Sequence, residues 1–280
     1  MKPAVLAGRL APLIPLLRCP RCGSAFHLTE QSLVCEQNHC YDLSKRGYVN
    51  LAPAHDQNAE KYGAELFDSR RTVFENGFYT PVMDAVASLL PEGPFSLLDA
   101  GCGEGYYARA IAQQFPLAQV LGLDLSRDAI TAAARVPGRA NWMVADLKHL
   151  PVANESIDVL LDVLTPADYN EFRRVLKPDG VLIKVIPGAD YLREVRSAVA
   201  PWLRSGDEYD NTRVMEHLRA HADVLSETEL HCTTALTPEQ SHAFLRMTPM
   251  TFSVPAEALD TLSLSEITIH MHVVCCRFGR

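Results

Sequence analysis

Residues 97–105 read Leu-Leu-Asp-Ala-Gly-Cys-Gly-Glu-Gly, an apolar run that ends on an acid and breaks into three alternate glycines. This predicts a buried strand, a tight turn, and a helix from about Tyr106. Gly101, Gly103 and Gly105 lack the Cβ that would forbid left-handed dihedrals and close approach of the backbone to a ligand. A dinucleotide site would show Gly-x-Gly-x-x-Gly, with pyrophosphate at the helix N-terminus. The spacing here is Gly-x-Gly-x-Gly, with Asp99 standing before the first glycine.

Further strands follow at βαβ spacing. Val120-Leu121-Gly122-Leu123-Asp124 is apolar and closes on a carboxylate about 20 residues past the glycines, a placement that suits an acid bonding ribose hydroxyls. Trp142 to Ala145 ends at Asp146, and Ile157 to Leu164 ends in Thr165-Pro166. Glu171 to Leu176 predicts a helix, and Lys177-Pro178-Asp179-Gly180 a turn into a fifth strand, Val181 to Ile186. Each acid alone suits a helix cap or a turn equally well; several in register argue for a site. The succession resembles the class I S-adenosylmethionine (SAM) methyltransferases, with Asp99 to Gly105 similar to their motif I and Asp146-Leu147-x-x-Leu150-Pro151 similar to their adenine loop. That resemblance implies an α/β fold with a Rossmann-like, mostly parallel seven-stranded sheet, and SAM as cofactor.

The chain has 280 residues, 48% hydrophobic and 21% charged, enough for one large domain and a small one. No run reaches the 18 or so uncharged apolar residues of a membrane span. Ala4 to Leu17 fails as a signal peptide, because Arg9, Pro12 and Pro15 interrupt it and no small-residue cleavage site follows. These features predict a cytoplasmic protein without a membrane partner, whose eight cysteines are thiols or metal ligands rather than disulfides. A net charge of −8 argues against a polyanion partner, but residues 1–80 carry nine basic against eight acidic side chains. The polar stretch from His55 to Ala64 lacks a hydrophobic period and is expected to be a linker or loop.

Cys19-x2-Cys22 and Cys35-x3-His39 are two pairs, each spaced so that one turn directs both side chains to one ion. This is the pattern of a closed tetrahedral zinc site. Cys40 is an alternative to His39 as fourth ligand, though neighbours do not easily share one ion. Four protein ligands leave no open position, so the zinc is expected to fold a small module rather than to react. Arg18, Arg21, Lys45 and Arg46 lie nearby, where they offset the thiolate charge or meet phosphates.

Tyr41 to Leu51, including Lys45-Arg46-Gly47-Tyr48-Val49-Asn50-Leu51, resembles the segment after the zinc site in bacterial 23S rRNA (guanine-N1)-methyltransferases of the RlmA family. The likeness continues in Arg70-Arg71-x-x-Phe74-x-x-Gly77-x-Tyr79-x-Pro81, in motif I, and in Leu245-x-Met247-Thr248-Pro249. It implies a zinc-binding RNA-recognition module over 1–52, a linker and interdomain helix over 53–80, and a methyltransferase domain over 81–280. It also implies a 23S rRNA hairpin as partner, a homodimer, and a link to macrolide resistance in one subclass. Tyr79, Asp99, Gly101, Gly103, Glu104, Gly105, Asp124 and Asp146 are the expected SAM contacts. Tyr191 stands where the family often has histidine and joins them. The alternative is a small-molecule methyltransferase with a structural zinc module.

Guanine N1 carries a proton that must leave during transfer, so a base or an oxyanion stabiliser is expected near the methyl group. Asp162, near the end of the fourth strand, is the candidate catalytic residue; Asp158 and His149 are the alternatives. With period 2, Asp162 and its neighbours face opposite sides of the sheet.

Overall fold

The computed structural model describes residues 1–52, 64–203 and 209–279; the segment expected as a linker, His55 to Ala64, falls outside them except for the helix start at Ala64. The N-terminal part opens with helix α1 (Pro3–Leu10) and folds into a three-stranded antiparallel sheet, β1 (Phe26–Leu28), β2 (Ser32–Cys35) and β3 (Cys40–Asp42), before β4 (Tyr48–Asn50). Helices α2 (Ala64–Glu75) and α3 (Thr80–Ala87) lead into the large sheet.

That sheet alternates strands and helices in chain order. The strands are β5 (Ser96–Ala100), β6 (Gln119–Asp124), β7 (Asn141–Val144), β8 (Ile157–Val163), β9 (Leu176–Pro187), β10 (Asp223–Ala235) and β11 (Glu266–Arg277). The helices between them are α4 (Tyr106–Gln114), α5 (Arg127–Arg135), α6 (Tyr169–Val175), α7 (Arg193–Val199), α8 (Thr212–His221), α9 (Pro238–Arg246) and α10 (Ala256–Leu259). The spatial order is β10-β11-β9-β8-β5-β6-β7-β4, with β4 through β9 mutually parallel and the β10–β11 hairpin antiparallel. β5 is buried along its whole length, the mark of a central parallel strand covered on both faces. Local chemistry agrees at the helix starts: Ser126 and Asp168 accept backbone N–H groups as N-caps, and Thr237 with Gln240 forms a capping box.

The expected seven strands are present, and an eighth joins them. β4, assigned from sequence to the zinc module, pairs in parallel with β7, Tyr48 opposite Trp142 and Asn50 opposite Val144. The module is tied in twice more: Arg18 N–H donates to Pro151 O, and Ala153 N–H donates to Leu16 O. Leu6, Leu13, Leu33, Val49, Met143, Leu160 and Val274 belong to one buried cluster, so no solvent layer separates the two parts. The fifth strand also begins earlier than predicted, at Leu176, running through the expected turn.

The strand order reverses at β5, whose neighbours β6 and β8 lie on opposite sides. Ligands of open α/β sheets bind at such a point, outside the carboxyl ends of the strands.

Candidate active site and metal centre

A cavity of about 490 Å³ opens at this crevice, within the range of small-molecule sites. Its floor is motif I. Gly101, Gly103 and Gly105 have φ of 75°, 55° and 76°, the left-handed region that only glycine enters freely. Space is a second demand, since a Cβ on Gly101 would lie 2.5 Å from Thr165, and one on Gly105 2.2 Å from the Trp142 ring. Asp124 at the end of β6 fixes the loop, accepting from Gly103 N–H at 2.9 Å and Ser126 N–H at 2.8 Å.

Of the residues expected from sequence, Tyr79, Asp99, Gly101, Gly103, Glu104, Asp124 and Tyr191 line this one cavity. The Tyr79 and Tyr191 hydroxyls are 2.7 Å apart, and burial holds both phenols neutral by raising their pKa. Asp99 is 2% exposed and its Oδ2 has no hydrogen-bond partner. Burial, with help from the charges of Asp124, Asp162 and Glu104 and against the Ala108 N–H, pushes its carboxyl up to about 8. Burial also raises Glu104 and Asp124, while the Arg70 guanidinium opposes the shift at both. An orphaned carboxylate oxygen beside a cradle that excludes side chains suits a ligand with a cationic amine, and the SAM methionine tail is one.

Gly105, Asp146 and Asp162 are not among the lining residues. Gly105 caps α4 and packs against Trp142 without lining the cavity. The Asp146 carboxylate caps the 147–149 turn, accepting from Lys148 N–H, and is likewise absent from the lining. Asp162, the expected base, is held in an ion pair. It is fully buried and pairs with Lys184 Nζ at 2.5 Å, while its neighbour on β8, Val163, lines the cavity. Lys184 also donates to Thr165 O at 3.2 Å, so the pair braces the loop after β8. Asp158 bonds Ser96 and Lys177 at the other end of the strand. His149 is exposed beside Asp146.

Sequence reasoning missed Thr165, Arg196 and Tyr209, which line the cavity from three separate elements. Arg70 and Met247-Thr248-Pro249 stood in quoted motifs without assigned roles. Here Arg70 Nε donates to Met247 O at 2.9 Å, joining the two motifs across the cavity wall.

At the N-terminal module, Cys19, Cys22, Cys35 and His39 place four ligand atoms within 4.8 Å of one another. Cys22 Sγ is 3.6 Å from Cys35 Sγ, while His39 Nδ1 is 3.5 Å from Cys19 Sγ and 3.4 Å from Cys35 Sγ. A tetrahedron of Zn–S bonds near 2.3 Å has edges of about 3.7 Å, so the donors fit zinc. The backbone N–H of His39 donates to Cys35 Sγ at 3.3 Å, and Tyr41 OH lies 3.6 Å from Cys19 Sγ, an outer shell for the thiolates. Cys40 lies outside the cluster. Cys35→Ala is expected to lose about one zinc per chain and the protease resistance of the N-terminus; Cys40→Ala should keep both, as metal analysis and limited proteolysis would show.

The comparisons with known proteins agree with both halves. Residues 97–180 match the family model described as a methyltransferase domain, and residues 17–60 match the model described as RlmA, N-terminal. A Bacillus subtilis (strain 168) protein provisionally named 23S rRNA (guanine-N(1)-)-methyltransferase YxjB is 35% identical over 274 residues, covering 92% of this chain and 96% of its own. The 23S rRNA (guanine(748)-N(1))-methyltransferase of Streptomyces fradiae is 28% identical, covering 95% and 98%. Among solved structures, a chain of the complex between the Haloferax volcanii Trm112 methyltransferase activator and its provisionally assigned methyltransferase is similar in fold. Its TM-score is 0.50 at 20% identity, over 75% of this chain and 96% of that one.

Proposed function

This chain belongs to the family of 23S rRNA (guanine-N1)-methyltransferases, and from that premise we propose that it transfers the SAM methyl group to N1 of a hairpin-loop guanine in 23S rRNA. The observation that carries the reading is a cofactor-type cavity and a Cys3His cluster built on one shared core. A small-molecule methyltransferase has use for the first and no evident use for the second.

SAM supplies a methyl already activated for in-line displacement, so the protein's task is alignment and exclusion of water. In this reading Asp99 meets the methionine amine, the Gly101 to Glu104 backbone lies against the cofactor, and Asp124 takes the ribose hydroxyls. Gly105 and Asp146 shape the surrounding loops. The guanine leaves its stack and enters the remaining space between Thr165, Tyr191, Tyr209 and Met247, as enzymes acting on bases require. The carboxylates among the described lining residues, Asp99, Glu104 and Asp124, all belong to the cofactor side. As N1 gives up its proton to solvent water, the charge left on guanine faces the Arg196 guanidinium and neutral phenols, which would act as oxyanion stabilisers.

The module, residues 1–52, grips the RNA. Arg18, Arg21, His149, Glu171 and Arg174 line a groove of about 460 Å³ between it and the β7–β8 connection with α6, and Lys45 and Arg46 are exposed in the β3–β4 turn. An rRNA substrate places the protein in the cytoplasm; no helix among the described residues is long and apolar enough to cross a membrane. A homodimer with one shared cleft, and an influence on macrolide susceptibility, complete the proposal.

Mass spectrometry of 23S rRNA digests from cells with and without the gene tests it, with one 1-methylguanosine site expected to vanish. Unchanged methylation of 23S rRNA would end the reading. Changing Arg18, Arg21, Lys45 and Arg46 together to glutamine should flatten the salt dependence of RNA binding by about three units of slope. An identical slope would assign those cations to solvent.

A further inference from the structure

Another cluster of ligand-type side chains lies apart from both sites, on the β10–β11 hairpin. In this register His231 stands directly opposite His270, and Glu229 opposite His272. Directly opposed side chains start about 5 Å apart, so two imidazoles share one spot on the sheet. Asp190, in the turn after β9, closes over them, its Oδ2 2.9 Å from His231 Nε2 and 3.9 Å from His270 Nδ1. Gly188 makes the approach feasible, since a Cβ there would fall 2.3 Å from the His270 ring. The tautomer of His270 follows from its partners. Asp190 N–H donates to Nδ1 at 3.2 Å, so Nδ1 carries the lone pair, and Nε2–H donates to Glu229 Oε1 at 2.8 Å. A carboxylate behind one ring nitrogen with the other left as a base is how metal-binding imidazoles are held.

We propose that Asp190, His231 and His270 form a second cation site, selective for a divalent transition ion of the zinc class. Two imidazoles and a carboxylate are the donors such ions prefer, and the three ligand atoms lie within 4.8 Å of one another. Bonds of about 2.1 Å in a tetrahedral shell set ligand atoms about 3.4 Å apart, between the two separations found here. Loading the site moves the His231 proton from Nε2 to Nδ1 and displaces the Asp190 amide from His270 Nδ1. Glu229 then serves as the outer partner of His270. Asp190 and His231 are 43% and 41% exposed, which leaves the fourth position to water. The ion would tie the turn that carries Tyr191, a cavity-lining residue, to the sheet edge.

The test uses the full-length, zinc-loaded protein dialysed against Co2+, with both metals counted per chain. The wild type should take up one cobalt while keeping its zinc, and the cobalt spectrum should lack the strong thiolate charge-transfer band of a cysteine site. Asp190→Asn and His231→Ala, both at exposed positions, should each weaken cobalt binding at least tenfold, and His272→Ala should leave it unchanged. A wild type that binds no cobalt leaves only a hydrogen-bonded ladder and overturns the site. Equal binding by both ligand variants, or loss in His272→Ala with retention in His231→Ala, also overturns it by placing the ion elsewhere.

Discussion

Replacing Asp162 by alanine is expected to cost about 3–5 kcal/mol of folding stability, because it strands a buried ammonium without its counter-ion. Lys184 is 4% exposed, and its two recorded bonds go to Asp162 and Thr165 O. Burial raises the Asp162 carboxyl while Lys184 pulls it back, so the pair stands or falls together. The double variant Asp162→Leu with Lys184→Met should recover most of the loss, since apolar pairs of similar volume replace buried ion pairs at little cost. It would still release Thr165, and with it the loop after β8. Urea midpoints at constant m measure the stability, and calorimetry with SAM measures the site. A fully stable alanine variant with normal SAM affinity and slow methyl transfer would instead return Asp162 to the role of base.

The second large effect concerns Asp99. With its carboxyl pushed up to about 8 by burial, Asp99 is protonated in the free protein at neutral pH. A cationic amine seated beside it favours the ionised form, so binding below pH 8 releases a proton. SAM affinity should therefore rise with pH and level off above the folded-state value. Asp99→Asn should abolish that slope and weaken binding about 10- to 100-fold on the alkaline side, the scale of a hydrogen bond between charged groups. Folding stability has the opposite pH dependence. A raised folded pKa means the buried acid favours folding most below its unfolded value near 4, and that advantage is lost as pH climbs to about 8. The difference in denaturation midpoint between wild type and Asp99→Asn should thus grow in favour of the asparagine variant across that window. A pH-independent SAM affinity in the wild type would remove Asp99 from the amine contact.

What the sequence made legible was local. The glycine loop, the acid closing β6, and the paired cysteines announce themselves within a dozen residues, because dihedral freedom and ligand spacing are written in adjacent positions. The side on which Asp162 lies was not legible in that way. Ile157, Val159, Leu160 and Leu161 are all fully buried, so β8 has no polar–apolar alternation from which to read its faces. Lys184, its partner, lies one strand away and 22 residues on. Arg196 and Tyr209 come from a helix and a loop that reach the cavity only through the tertiary fold. The likeness to motif patterns offers Asp146 to the cofactor, and the local capping of the 147–149 turn by its carboxylate adds a second task that the motif does not spell out. β4 is three residues long, too short to show a period, and only its hydrogen bonds to β7 reveal where it belongs.

That short strand has a consequence for which nucleotide is reached. Because Tyr48 to Asn50 are locked in register with Trp142 to Val144, and the Trp142 ring packs on both Gly105 and Gly122, the distance from zinc cluster to cavity is a fixed length and not a tether with play. If the module grips RNA as proposed, the strand would be offered to the cavity at one offset along its backbone, as by a measuring gauge. Choice of one guanine over another in the same RNA would then be a matter of span, set where the module docks on the sheet, since every guanine base is chemically the same.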